Sequence, residues 1–308
     1  MVPARMRSRE RASAFLMLAL ANLLWAGNWV TGRALRDSFE PVALNFWRWL
    51  LASLMLAPFV LPGLIARRGV LRRHLGLLAL LALVGVALFQ SLVYLGLRTT
   101  TAVNAVLLNS SAPLFMLLCS WAIEREAATR GQIAGMLVSL AGIFVILLRG
   151  EFGRLLQFQI HAGDGWILLA MLLWGIYSVL LKRRPVELGG AAFLFVISAG
   201  GVLMLAPAFV LEARYSPPAW PTLPEAAGVL YIAFAASVCA FVFWNRGVAV
   251  VGANAAGFTL HLLPLFGTAL AMIFLGESFQ PYHAAGFAMI LAGVILATRA
   301  TPQPGARP

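Results

Sequence analysis

Polar and aromatic side chains recur at helical spacing inside the long apolar stretches of this sequence. Trp25 and Asn28 lie at i and i+3 in one stretch, and Gln90 and Tyr94 lie at i and i+4 in another. Rings and amides in an apolar setting can hold a small polar molecule by stacking and hydrogen bonding, without covalent chemistry. The candidate binding residues chosen on this basis are Trp25, Asn28, Arg48, Gln90, Tyr94, Asn109, Ser110, Ser111, Trp174, Tyr177, Trp244 and His261.

Hydrogen bonding between helices is the alternative explanation for these polar residues, because a polar group facing lipid is costly. Asn104 and Ser111, for example, are predicted to share one face of a helix. The aromatic face at Trp25 recurs with the same spacing at Trp174 and Tyr177. This recurrence favours a cavity lined by rings and amides, suited to a zwitterion with a large apolar side chain.

Two of the candidates carry or can acquire a charge. Arg48 lies about seven residues into an apolar stretch, where it could extend to the membrane surface or face a cavity and hold a carboxylate. Its neighbours Trp47 and Trp49 fit an interfacial aromatic belt. His261 could bind a proton, donate a hydrogen bond to a ligand or pack as a neutral imidazole.

The charged residues and cysteines argue against several classes of protein. The acidic residues lie in loops or at helix ends, and Cys119 and Cys239 lack the spacing of a metal or redox site. No paired carboxylates, serine–histidine pair or metal cluster stands out, so we expect no enzyme, no cofactor and no metal. The net charge of +12 comes from basic residues in short loops, a pattern that argues against nucleic-acid binding.

The composition predicts a protein that crosses the lipid bilayer many times. Of its 308 residues, 61% are hydrophobic and 11% are charged, and the mean hydropathy is +0.89. The runs are too long and too continuous for the strands of a membrane barrel, so all are predicted as helices. The predicted spans are 13–32, 42–61, 76–97, 102–122, 131–148, 165–181, 190–211, 226–244, 250–275 and 281–298.

The distribution of Arg and Lys predicts the orientation of these helices. With the N-terminus inside, sixteen basic residues fall in cytoplasmic segments and six on the opposite side, which places both termini in the cytoplasm. The stretch Ala12–Gly32 contains no charged residue over 21 positions. It is longer than the core of a signal peptide, so we interpret it as a retained first transmembrane helix.

The second half of the chain repeats the first with a shift of about 150 residues. Five spans in each copy predict that the second copy enters the membrane inverted, with residues 12–149 forming one repeat and residues 164–298 the other. Pro113 and Pro264 are predicted to break the fourth helix of each copy and to free the carbonyls of Asn109 and Leu260. The matched pairs include Asn104 and Asn254, Pro113 and Pro264, Glu126 and Glu277, Gly135 and Gly286, and Gly142 and Gly293.

These features resemble the EamA-type branch of the drug/metabolite transporter superfamily. The resemblance rests on the duplicated hairpin Tyr94–Phe115, the mid-helix proline followed by a loop glutamate, the glycine-rich last helix and Arg48. Within the branch, the chain is similar to the aromatic amino acid exporters of the YddG type. This resemblance implies ten helices that alternate access to a central cavity. The cavity positions that this resemblance implies are Trp25, Asn28, Tyr94, Asn109–Ser111, Trp174, Trp244 and His261.

We therefore predict a multi-pass exporter of amino acids, favouring aromatic or large neutral ones, in a bacterial inner membrane. An exporter of another neutral metabolite or drug is the first alternative. An intramembrane enzyme or a scaffold is a more remote one, and it lacks any residue constellation to support it. The sequence leaves the coupling ion, the direction of transport and the oligomeric state open.

Overall fold

The computed structural model describes residues 4–100, 102–151, 153, 159, 161–216, 220–275 and 279–300. Every regular element within these ranges is helical. Eight helical segments of the described chain are long and apolar enough to cross a membrane. The protein is an all-helical polytopic membrane protein, as the composition predicted.

The first half contains helices α1 to α8, with its third membrane-spanning segment assembled from α4, a π-helical segment at Leu83–Leu88 and α5. The bounds are α1 Ala4–Ala34, α2 Pro41–Ala66, α3 Arg68–Arg73, α4 Leu75–Ala82, α5 Phe89–Thr99, α6 Ala102–Asn109, α7 Ala112–Glu124 and α8 Arg130–Leu147.

The second half follows the same plan with helices α9 to α15. Short 3₁₀ turns at Leu181–Arg183 and Val186–Leu188 follow α9, and a π-helical segment at Ile232–Cys239 joins α11 to α12. The bounds are α9 Ala162–Leu180, α10 Gly190–Tyr215, α11 Leu223–Tyr231, α12 Ala240–Val251, α13 Ala253–Thr259, α14 Leu262–Leu275 and α15 Pro281–Arg299.

Two of the predicted spans are interrupted rather than continuous. The span predicted at 102–122 breaks between α6 and α7, at Ser110 and Ser111. The span predicted at 250–275 begins at Ala253 instead, because α12 continues past 244 to Val251 and is followed by Gly252, whose φ of 85° favours glycine. It then breaks between α13 and α14 at Leu260 and His261.

The breaks do not lie at the prolines themselves. Pro113 occupies the first turn of α7, where a missing N–H costs little, so the break precedes it by two or three residues. The carbonyl of Leu260, predicted to be free, accepts from Leu263 N at 3.0 Å. Glu277, the predicted partner of Glu126 in the repeat, lies outside the described residues.

Both π-helical segments leave backbone carbonyls that side chains of other helices satisfy. In the first half, Asn45 Nδ2 on α2 donates to Val86 O at 3.0 Å. In the second half, the carbonyl of Ala236 accepts from Trp25 Nε1 at 3.0 Å and from Arg48 Nη2 at 3.3 Å. Such π-helical turns are frequent at functional sites, and here they direct polar contacts toward the centre of the bundle.

Helices α8 and α15 pack against each other in antiparallel directions through glycine. A Cβ added at Gly135 would lie 2.5 Å from Gly293 O, and one added at Gly142 would lie 2.7 Å from Gly286 O. Only glycine permits the backbones to approach this closely. In the sequence repeat, Gly135 is equivalent to Gly286 and Gly142 is equivalent to Gly293. Each contact therefore joins a glycine of one equivalent pair to a glycine of the other pair.

Candidate functional site

A small central cavity lies between the two halves of the chain. Its volume is about 30 Å³, which accommodates water but not an amino acid. Its wall is formed by side chains from α1, α5, α9 and α12 and from the two interrupted spans. Five of the candidate residues line it: Trp25, Asn28, Gln90, Asn109 and Trp174.

Aromatic rings from four helices form the densest part of this wall. Trp25 and Trp174, which are equivalent positions in the two halves, meet edge to face with ring centroids 5.2 Å apart. Trp244 lies 5.3 Å from each of them. Phe89 packs against Trp174 at 4.8 Å, and Phe241 packs against Trp25 at 5.6 Å. These distances are within the favourable range for ring pairs.

Arg48 lies behind this wall and is 1% exposed. Its Nε donates to Ser237 Oγ at 2.5 Å, and its Nη1 lies 3.4 Å from both Asn28 Oδ1 and Tyr94 Oη. Among the described residues, no carboxylate lies within salt-bridge distance of its guanidinium. A buried cation held only by neutral partners is costly, so Arg48 is a candidate functional residue.

The interior position of Arg48 excludes one of the two alternatives that the sequence left open, extension to the membrane surface. The side chain does not extend to the membrane surface, because α2 turns it toward α1, α5 and the π-helical segment Ile232–Cys239. Trp49 is also fully buried and packs edge to face on Phe241 at 4.9 Å. The expected interfacial position of Trp49 is therefore wrong, whereas Trp47 is partly exposed.

His261 joins the two interrupted spans. Its Nε2 lies 3.1 Å from Ser110 O, and its Nδ1 contacts Ser139 Oγ on α8. A carbonyl oxygen only accepts, so Nε2 carries the proton and, in the neutral ring, Nδ1 accepts from the serine hydroxyl. The ring is fully buried and both of its nitrogens are engaged.

The other candidates do not line the central cavity. Tyr177 is buried behind Trp174 and donates to Asn245 Oδ1 at 2.9 Å. Tyr94 contacts Arg48, and Trp244 is fully buried, with no hydrogen-bond partner for its Nε1 among the described residues. The hydroxyls of Ser110 and Ser111 donate to carbonyls of the preceding turn.

The expectation that Asn104 and Ser111 share one face is wrong, because the helix breaks between α6 and α7. Asn104 instead binds Asp164 Oδ2 at 2.9 Å, at the start of α9. Apolar members of the cavity wall escaped the sequence reasoning, because one apolar residue in an apolar helix carries no distinguishing signal. They are Phe89, Val93, Ala112, Met171, Phe241, Leu260 and Leu263. Trp29, which the sequence places at i+4 on the same helix face as Trp25 and Asn28, also lines the cavity.

Fold and site together define a polytopic membrane protein with duplicated halves and a small aromatic cavity between them. The model of the EamA-like transporter family matches residues 12–148 and 161–299. The chain belongs to the EamA-like transporter family, and it is a membrane transporter rather than an enzyme.

Its relatives are similar over nearly their whole length. An uncharacterized transporter of Archaeoglobus fulgidus is 30% identical over 285 residues, which cover 92% of this chain and 96% of the relative. A probable terminal-alkyne amino-acid exporter of Streptantibioticus cattleyicolor is 28% identical over 291 residues, covering 94% and 95%. One solved crystal structure is similar with a TM-score of 0.73 at 20% identity, covering 94% of this chain and 98% of that one, which supports the fold alone.

Proposed function

We propose that the protein exports amino acids, with a preference for aromatic and other large neutral ones, by alternating access to the central cavity. The rings of Trp25 and Trp174 would stack on the substrate side chain, while Asn28, Gln90 and Asn109 would hydrogen-bond its polar end. The similarity to a probable amino-acid exporter supports this substrate class. Transport of this kind needs no covalent step and no cofactor.

The main support for this proposal is the guanidinium of Arg48, an unpaired cation behind the cavity. Asn28 lines the cavity, and its Oδ1 lies 3.4 Å from Arg48 Nη1. A carboxylate bound beside Asn28 would therefore experience the field of a buried, unpaired guanidinium, where water screens little. The same field disfavours an organic cation in this position. An amino acid presents such a carboxylate together with a side chain for the rings.

Contacts between the halves support an inverted arrangement of the two repeats, 12–149 and 164–298. The reciprocal pairs Gly135 with Gly293 and Gly142 with Gly286 are those expected of equivalent helices related by a two-fold axis. The ring contact of Trp25 with Trp174 also joins equivalent positions. In alternating access, each half would adopt in turn the conformation that the other half now has.

Polar contacts at the two ends of the bundle support the proposed division of the loops between the two sides of the membrane. Glu124 pairs with Arg183 at 2.7 Å and Glu126 with Lys182 at 2.8 Å, at the end proposed to be cytoplasmic together with both termini. Residues proposed to lie outside meet at the other end, where Glu40 pairs with Arg98, Ser38 with Glu225 and Thr100 with Asp164. In a bacterium this orientation corresponds to the inner membrane.

Efflux from proteoliposomes tests the substrate class. Vesicles loaded with labelled phenylalanine, tryptophan, threonine or a control sugar are compared with protein-free vesicles. We expect phenylalanine and tryptophan to leave faster than threonine, and the sugar to be retained. Retention of every amino acid would refute the proposal, whereas efflux of other neutral compounds alone would favour a metabolite or drug exporter.

Cysteine labelling in intact cells tests the inverted topology. Glu126→Cys is expected to react only with membrane-permeant maleimide, and Glu277→Cys also with an impermeant one, after Cys119 and Cys239 have been replaced. Glu40→Cys serves as the positive control for the outer face. Labelling of positions 126 and 277 from the same side would exclude the inverted arrangement.

A further inference from the structure

A second, larger cavity, here called the vestibule, adjoins the central cavity. Its volume is about 360 Å³, and helices α1, α5, α6, α8, α14 and α15 surround it. Trp29 and Leu263 line both cavities and therefore form the partition between them. Ligand pockets usually measure about 300 Å³ or more, so the vestibule, unlike the central cavity, is large enough for a ligand in this conformation.

The wall of the vestibule is apolar along most of its depth. Residues of α8 and of the facing helices supply aliphatic side chains, whereas the polar groups cluster at one end, where α8 stops and α15 starts. The aliphatic residues are Val30, Leu97, Val106, Ile143, Ile146 and Leu147, of which Ile143 and Ile146 are buried. The polar groups at the other end are Arg149, Tyr282 and His283. Such a wall matches a ligand with an apolar body and one polar end.

Arg149 sets the charge of that end. It directly follows the end of α8 in a left-handed conformation, with φ 54°, and its side chain is exposed. Among the described residues, no hydrogen bond or salt bridge engages its guanidinium, and none of those that line the vestibule is acidic. The C-terminus of α8 and the N-terminus of α15 contribute partial charges of opposite sign, about half an elementary charge each, which largely cancel. The full charge of Arg149 therefore determines the preference, and it favours an anion.

We propose that the vestibule is a second binding site, for amphipathic carboxylates, on the exit side of the partition formed by Trp29 and Leu263. The carboxylate lies toward Arg149, and the apolar group packs against Ile143 and Ile146. This inference rests on the proposed function in one respect, namely that the ligand belongs to the transported class. Apart from Trp29 and Leu263, the residues of the vestibule differ from those of the central cavity, and the cation at its polar end is Arg149.

Protection of a single cysteine locates ligand binding in the vestibule without requiring transport. Thr268 lines the vestibule, so Thr268→Cys is introduced after Cys119 and Cys239 have been replaced by alanine. The rate of maleimide labelling of purified protein is measured with 3-phenylpropionate, with phenylalanine and with phenethylamine, which lacks the carboxylate. Ser216→Cys, an exposed position that does not line the vestibule, is the matched control.

We expect 3-phenylpropionate and phenylalanine at about ten times their Kd to slow labelling at position 268 roughly tenfold. Phenethylamine should give no protection, and labelling at position 216 should not change. Arg149→Gln should raise the Kd about tenfold, because a charge-assisted contact is lost, so protection at the same ligand concentration should fall to about twofold. Arg36→Gln removes a cation outside the vestibule and should leave protection unchanged.

A substitution that fills the vestibule tests the proposal independently of Arg149. Ile146→Trp should abolish protection, whereas Leu137→Trp, on the exposed face of the same helix, should not.

Equal protection by phenethylamine, or protection that survives both Arg149→Gln and Ile146→Trp, would overturn the proposal, as would the absence of protection. If protection occurs but amino acids do not leave proteoliposomes, the vestibule site stands and the proposed function falls. If amino acids leave proteoliposomes but no ligand protects position 268, the proposed function stands and the vestibule site falls.

Discussion

His261 Nε2 lies 3.1 Å from the carbonyl oxygen of Ser110, and the two residues are 151 positions apart in the sequence. The same shift relates Pro113 to Pro264 and Glu126 to Glu277, so this contact joins equivalent points of the two halves. Each point lies where a membrane span is interrupted. A break exposes a carbonyl that the helix no longer uses, and here the imidazole of the opposite half satisfies it.

His261→Ala should destabilise the protein by about 1–3 kcal/mol, because it leaves the carbonyl of Ser110 buried without this donor, whereas the hydroxyl of Ser139 can still donate to Met136 O. The loss is measured by unfolding in mixed micelles with increasing SDS. His261→Gln, which can still donate a hydrogen bond, should recover part of it. His74→Ala, at a partly exposed position between α3 and α4, is the control and should leave stability unchanged. A His261→Ala variant as stable as this control would contradict the proposed tie between the two breaks.

Arg48→Gln should lower transport of phenylalanine about tenfold or more without lowering stability. The glutamine keeps a hydrogen-bonding side chain but removes the cation that is expected to attract the substrate carboxylate. Removing an unpaired buried charge also removes its desolvation cost, so the free energy of unfolding should stay equal or rise. Efflux assays and SDS unfolding of the same preparation separate the two effects. A less stable variant with undiminished transport would assign Arg48 a structural role instead.

Arg48→Lys separates the effect of the charge from the effect of the guanidinium geometry. Lysine retains the charge, but its single ammonium group cannot reach Ser237, Asn28 and Tyr94 together as the guanidinium does. Transport should therefore fall between the values of the wild type and Arg48→Gln. Equal loss in both variants would show that the geometry of the guanidinium, rather than its charge, is required.

The duplicated halves and the interruption of two spans could be predicted from the sequence, because paired prolines at a constant shift are a strong pattern. The position of each break could not. Pro113 is accommodated in the first turn of α7, so the chain breaks earlier, at Ser110 and Ser111. The cross-contact with His261 then depends on tertiary packing between the halves, which no local pattern in either half encodes.

Whether Arg48 and Trp49 are buried or lie at the membrane surface also depends on tertiary packing, so the sequence alone left it open. A tryptophan or an arginine near a helix end suits the membrane interface as well as a buried site, and only the packing of α2 against the π-helical segment Ile232–Cys239 decides. The π-helical turns themselves carry no signal in an apolar sequence. The vestibule was missed because its aliphatic wall looks like ordinary lipid-facing helix.

Trp174→Ala should lower transport about tenfold or more while membrane insertion remains intact. Trp174 lines the central cavity and contacts Trp25, Trp244 and Phe89, so its removal eliminates a stacking surface at the proposed site. Trp174→Phe should retain part of the activity, because a smaller ring remains. Trp220→Ala removes a tryptophan that is 97% exposed and should transport normally. Normal efflux by Trp174→Ala in proteoliposomes would remove this residue from the site.

Gly142→Val should destabilise the protein by about 3 kcal/mol or disrupt the packing of α8 on α15. A Cβ at this position would lie 2.7 Å from the backbone oxygen of Gly286, and a backbone atom cannot rotate away as a side chain can. Gly76→Val in α4 is the matched control, since no atom lies within 4 Å of its added Cβ. The free energies of unfolding of the two variants are compared in SDS titrations. Because Gly142 and Gly286 belong to different halves, equal stability of both variants would mean that the halves do not meet along these helices, and the reciprocal glycine contact would no longer support an inverted repeat.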